Sequence, residues 1–169
     1  MTALALPQGA FLGPNCGVTA VAVAAGVSML EAWDTFKKVC NMHKNWNGGT
    51  RQFDRIKALD ALGVEYESLP FYAGRTLSYF ANLTKDMMPG KMFIVTTTGH
   101  AQVVMDGKVL DQGGVKDVKD HWGKRKKIKH GYGVLEIIPK DPDVTIDAAL
   151  AAQVFGLPLF DLDTPHKEN

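Results

Sequence analysis

Asp106-Gly107 separates two apolar runs, HAQVVM before it and KVLD after it, and no other feature constrains the chain as tightly. Asp-Gly between such runs signals a two-residue hairpin turn, because both turn residues must adopt positive φ. That loop length sets the pairing: Met105 opposes Lys108, Val104 opposes Val109, and Gln102 opposes Asp111. Side chains alternate along a strand, so His100 shares a face with Gln102 and Val104, and Asp111 joins them there. His100 and Asp111 are then diagonal neighbours with backbones about 7–8 Å apart, a gap the two side chains can close. A slip of one residue would send them to opposite faces.

The hairpin lies in the second half of a chain of 169 residues whose pattern changes at Lys91. Upstream the pattern is helical. Gly13-Pro14-Asn15 is turn chemistry, with Asn15 as the expected N-cap of a helix from Cys16 to about Ala25 that stops at Gly26. Ser28 and Glu31 fit a capping box that opens a second helix, carrying Leu30, Trp33, Phe36 and Val39 as its apolar face and ending near Cys40. After an Asn- and Gly-rich loop, a third helix is expected from Arg51 to Leu62, with Phe53, Ile56, Leu59 and Leu62 as its stripe. Val64 to Leu69 reads as a short strand and Thr76 to Leu83 as a further helical turn or two.

Downstream of Lys91 the runs KMFIVTTT, HAQVVM, KVLDQ and YGVLEII are short and β-rich. Helices first and strands afterwards predict an α+β fold with an antiparallel sheet. Residues 1–140 form the expected single domain. Residues 141–169 are read as a helix over Ile146 to Phe155 followed by a loosely held tail.

Nineteen basic residues against eighteen acidic ones give a net charge of +1, so no global field points to nucleic acid or to an anionic membrane. The Ala- and Val-rich run from Val18 to Val27 is far shorter than the roughly 20 residues of a membrane span. Met1 to Leu6 holds no Lys or Arg, which argues against a secretory signal and for a cytoplasmic protein. In that compartment the two cysteines, Cys16 and Cys40, are expected as free thiols. Cys40 and His43 form half of a metal-binding spacing with no second half, so neither a metal nor a cofactor is expected. The run Lys124 to His130 places five basic residues in six positions after Trp122. It suits phosphates or an acidic protein surface, or else an edge strand whose lysines discourage aggregation; the balanced charge favours the edge strand and makes nucleic acid an unexpected partner.

Cys16 admits two readings. A cysteine before small apolar residues is ordinarily core. A thiol in the first turn of a helix also feels the positive end of the helix dipole, which favours thiolate, and a nearby imidazole would favour it further. The His100–Asp111 register tips the balance toward a nucleophile.

PNCGVTA at a helix start, followed far downstream by GHAQVVMDGKVLDQ, resembles the papain-like cysteine peptidase superfamily, most closely the bacteriocin-processing type. The match runs from about Gln8 to Ile138. The resemblance implies a papain-like α+β fold in which the nucleophile opens a central helix packed on a C-terminal antiparallel sheet. It implies Cys16 as nucleophile, His100 as general base and acid, and Asp111 as the residue that orients His100. Such proteins carry an oxyanion-stabilising Gln six residues before the Cys, where this chain has Ala10; Gln8 is the upstream candidate. Asn15, Trp46 and Gly99 are the candidate substrate contacts, with the alternative that Trp46 anchors its loop. The expected activity is amide or isopeptide hydrolysis, deamidation or acyl transfer on a peptide or protein. The competing expectation is an inactive papain-like fold that binds or inhibits a protein partner, through the basic run or the tail.

Overall fold

The computed structural model describes residues 3–140, so the helix and tail expected beyond Lys140 lie outside the described residues. All elements fall within the first compact unit, Met1–Ile138. Their order is α1 (Cys16–Ala25), α2 (Met29–Val39), α3 (Gln52–Ala61), β1 (Glu65–Ser68), α4 (Leu77–Met87), β2 (Met92–Thr97), β3 (His100–Met105), β4 (Lys108–Asp111), β5 (Gly114–Asp117) and β6 (Val134–Ile138), with short 3-10 turns at Pro70–Tyr72 and Val118–Asp120.

The chain is α+β, and its six strands pair antiparallel in the order β1-β6-β2-β3-β4-β5. The central hairpin has the expected register, Met105 opposite Lys108 and Val104 opposite Val109. Asp106 and Gly107 both have positive φ, 52° and 76°, as a tight two-residue turn requires. Gly114-Val115-Lys116-Asp117 was not anticipated as a strand; it pairs with β4 across a turn held by Gly113 N–H donating to Asp111 Oδ1 at 2.8 Å.

Both faces of the sheet are covered. Ile94, Val103, Leu110, Leu135 and Ile137 face α1, α2 and α3, meeting Val18, Val21, Phe36 and Leu59. Phe93, Val95, Val104, Val109 and Val134 face the other way, toward Leu77, Phe80 and Ala81 of α4. Strand β3 is therefore buried along its whole length. It is buried on both faces because the two cores claim its alternate side chains, Val103 and Val104.

Helix α1 is built almost wholly of Ala, Val and other small residues, and six of its ten residues are buried. Small side chains let it lie close to β3 and α2 at once. It ends as expected at Gly26 in the left-handed conformation. Ser28 caps α2 by accepting from Glu31 N–H at 3.1 Å. Two helix faces are rotated from the expected ones. In α2 the buried residues are Met29, Ala32 and Phe36, with Leu30 exposed; in α3 they are Arg55, Ala58 and Leu59, with Phe53 exposed. The rotation is partial: Phe36 and Leu59 are buried as expected, and Trp33, Ile56 and Leu62 are part-buried against the first core. Helix α4 runs past Leu83 to Met87, closing the second core.

Among the described residues no single helix is long and apolar enough to cross a membrane. The second core depends on the edge-to-face pair Phe80–Phe93, with ring centroids 5.1 Å apart and both side chains inaccessible. Phe80→Ala is expected to lower unfolding stability by about 3–5 kcal/mol, read from the urea midpoint; a loss below about 1 kcal/mol would mean that α4 does not anchor the sheet.

Candidate active site

Three elements converge at one end of the sheet. Cys16 is the first residue of α1, His100 opens β3, and Asp111 closes β4. The turn of β2–β3, Thr98-Gly99, brings Thr97 opposite His100, with Gly99 at φ 70°. Helix α1 packs along β3 and β4, which sets its amino terminus beside the start of β3.

The expected diagonal pair forms. His100 donates from Nε2 to Asp111 Oδ2 at 2.9 Å, and both side chains are buried. The other ring nitrogen is left for Cys16, with which His100 shares a side-chain hydrogen bond. Burial opposes a charged imidazole, but the bonds to Asp111 and Cys16 outweigh it and raise the His100 pKa to about 9. Cys16 moves the opposite way. Burial works against its thiolate, yet the hydrogen bonds from His100 and the Ala101 backbone, with the positive charge of His100 and Arg55, hold its pKa below the ordinary thiol value. The geometry thus favours a thiolate–imidazolium pair.

Asp111 is the hub of this arrangement. Besides His100 it accepts from His121 Nε2 at 2.9 Å and from Gly113 N–H at 2.8 Å. Burial alone would raise its pKa; these donors hold the carboxyl well below the usual range. His121 is a member of the site that the sequence did not reveal. Gly123 N–H donates to its Nδ1 at 3.0 Å, which leaves the proton on Nε2, facing Asp111. The 3-10 turn Val118–Asp120 folds His121 back beneath β4, and no periodic signal marks such a return. Nothing short of the tertiary fold connects His121 to Asp111.

His100, Asp111 and His121 are also the one compact set of metal-ligand side chains among the described residues. Their spacing is that of hydrogen bonds. A metal would need both Nε2 atoms deprotonated, and the bond from Gly123 works against that at His121. Cys40 and His43 do not combine: the Cys40 thiol donates to Asp54 O, and His43 Nδ1 accepts from Asn45 N–H.

Trp122 takes a different place from the one its neighbours suggested. Its ring lies against those of His100, at 4.9 Å, and His121, at 5.5 Å, covering the histidines on one side. Lys126 sits 4.4 Å over the same indole and donates to Thr98 O. Lys124 donates to Lys119 O, and Ile128 is buried and bridges to Thr97. Much of the basic run is therefore tied into the wall beside His100.

The remaining sequence candidates divide. Gly99 lines the cleft that contains Cys16 and His100, a space of about 680 Å³. Gln8 does not: it is exposed in a separate cleft with Phe11, Met29, Leu30 and Trp33. Its backbone carbonyl accepts from Met29 N–H, which commits that segment to α2. Asn15 is fully buried outside the cleft lining, with Nδ2 donating to Phe11 O rather than capping α1. Trp46 packs tilted against Trp33, with ring centroids 4.5 Å apart, and donates to Gly49 O, so it anchors its loop and is not among the residues lining the cleft. Arg55, which lies outside the apolar stripe expected for α3, is buried and lines the cleft. It gets there because Gly17 lacks a side chain: a Cβ at Gly17 would overlap Thr50 Oγ1 and come within 3.1 Å of Arg55 Cδ.

Cys40 supplies an internal reference, since burial and Asp54 raise its pKa while that of Cys16 is lowered. Alkylation of Cys16 by iodoacetamide is expected to extend to lower pH than that of Cys40, because the thiolate is the reacting form. His100→Ala removes the imidazole bond and its charge and leaves the burial, the Ala101 backbone bond and Arg55, so the Cys16 profile should move up toward the ordinary thiol pKa of about 8.5. Peptide mass spectrometry resolves the two thiols, and identical Cys16 profiles in the two proteins would rule out the pair. No family model, curated protein or solved structure matches this chain, which leaves its geometry and chemistry to carry the functional reading.

Proposed function

We propose that the chain is a papain-like cysteine peptidase or a related acyl-transfer enzyme that works through a thioester on Cys16. The observation that carries this reading is the convergence of Cys16, His100 and Asp111 from three separate elements, with the thiol pKa lowered and the imidazole pKa raised together. A structural thiol has no need of a buried imidazole that is itself held by a carboxylate.

In this mechanism Cys16 Sγ attacks the carbonyl carbon of an amide, and the carbonyl π electrons move to oxygen. The Cys16 backbone N–H, in the first turn of α1 and without an intrahelical acceptor, is one donor to that oxyanion. As the intermediate collapses, His100 gives its proton to the leaving nitrogen, the C–N bond breaks and a thioester remains. His100, now neutral, takes a proton from water as the water oxygen attacks the thioester. The acid leaves, and the thiolate–imidazolium pair is restored. Asp111 keeps the ring oriented throughout, and His121 and Gly113 keep Asp111 oriented. An amine in place of water gives transfer, and a Gln side chain as substrate gives deamidation.

The test is to incubate a mixed peptide library with the full chain, with Cys16→Ala and with Asp111→Ala, and to read new termini and deamidated residues by mass spectrometry. Products that depend on Cys16, falling by about 10⁴-fold or more without it, are the expected result. Binding of a protein partner retained by Cys16→Ala, with no product from the unaltered chain, would instead favour the inactive binding module.

A further inference from the structure

The Cys16 cleft holds a charge that the acyl-transfer steps do not use. Arg55 is only 4% exposed, and its guanidinium bonds to Thr50 O, Thr50 Oγ1 and Thr96 Oγ1, all neutral acceptors. Among the described residues no carboxylate forms an ion pair with it. Charged groups this deeply buried are ordinarily paired, because burial without a counterion is costly.

Two further cations, Arg51 and Lys129, line the same cleft. His130 lines it with Cys16 and His100, and no Asp or Glu is among its lining residues. Thr97 also lines it, is 1% exposed, and has a hydroxyl with no hydrogen-bond partner. A buried cation without an ion-paired carboxylate and a buried hydroxyl without a partner thus occur in one cleft. The Cys16 thiolate, and after it the Asp54 carboxylate, are the negative charges near Arg55, neither of them ion-paired with it. The thiolate charge leaves sulfur when Sγ attacks, and the thioester sulfur is neutral.

We infer that this cleft is a carboxylate subsite: the substrate of Cys16 carries a carboxylate near the carbon under attack, held by Arg55 and Thr97 and attracted by Arg51 and Lys129. The planar guanidinium fork matches a carboxylate, which can accept two parallel N–H bonds. The carboxylate belongs to an acidic side chain or to a peptide's own carboxyl terminus. The inference deepens the acyl-transfer reading and rests on it for what is done to the bound molecule.

Two reagents of nearly equal size test it on the full chain: iodoacetate, which carries a carboxylate, and iodoacetamide, which does not. The iodoacetate-to-iodoacetamide rate ratio at Cys16 should exceed that at Cys40 by about tenfold or more, and Arg55→Met should abolish the excess. Equal ratios at the two thiols overturn the subsite. So does an excess that survives in Arg55→Met, which would belong to His100.

Since Arg55 also ties down Thr50 and Thr96, a second measurement keeps Arg55 in place and replaces the thiol. Cys16→Ser is titrated by NMR with N-acetylglutamate α-amide, N-acetylglutamine and N-acetylglutamine amide. Binding of the first identifies a side-chain carboxylate and binding of the second a terminal one, provided the neutral diamide does not bind. Equal binding of all three, or binding of none, overturns the subsite. If Cys16 is inert to both alkylating reagents, the acyl-transfer reading fails, and this titration alone decides the subsite.

Discussion

The carboxylate of Asp111 is the interaction on which the candidate site depends. It is buried and accepts hydrogen bonds from His100, His121 and Gly113. A buried carboxylate with fewer donors would be protonated or excluded from the interior. With three donors it stays ionised and orients the ring that faces Cys16. The β3–β4 turn, the β4–β5 turn and the 3-10 turn that returns His121 each deliver one of those donors. The fold around Asp111 is therefore also the machinery that sets the charge state of the thiol some distance away.

The sheet and the helices divide the remaining work. Alternation along β2, β3 and β6 sends one set of side chains to α1, α2 and α3 and the other to α4, so β3 is held from both sides. That leaves His100 on a strand that cannot tilt without disturbing two cores. Cys16 is held as firmly, because α1 is packed by small residues against β3 and α2. Nucleophile and imidazole thus sit on rigid elements, the arrangement that favours defined geometry over adaptable loops.

What was legible in the sequence follows the range of the interactions. The His100–Asp111 pair depends on one two-residue turn and the period of a strand, and both are local rules that Asp106-Gly107 states openly. The α1 start, the Gly26 stop and the Ser28 cap are equally local. His121 and Arg55 were not legible, because each reaches the site through contacts between distant segments. Arg55 in particular lies on a helix whose apolar period pointed to Phe53, and only the absence of a side chain at Gly17 opens the space it occupies. Gln8, Asn15 and Trp46 went astray for the opposite reason. They were placed by proximity along the chain to Cys16 or by composition, and their bonds to Met29, Phe11 and Gly49 assign them to scaffolding.

The packing of α1 has a further consequence. A helix buried between a central strand and two other helices cannot open by itself, since its exposure would require the sheet and α2 to separate. The amide protons at its centre are then released to solvent only when the whole domain unfolds. Cys16 opens this helix and is followed at once by its buried stretch Gly17–Ala22, so undocking α1 while the sheet survives would expose the first core. Ageing or heating should therefore produce either intact molecules with a fully competent thiol or molecules without a fold, and an active-thiol titration would count folded chains.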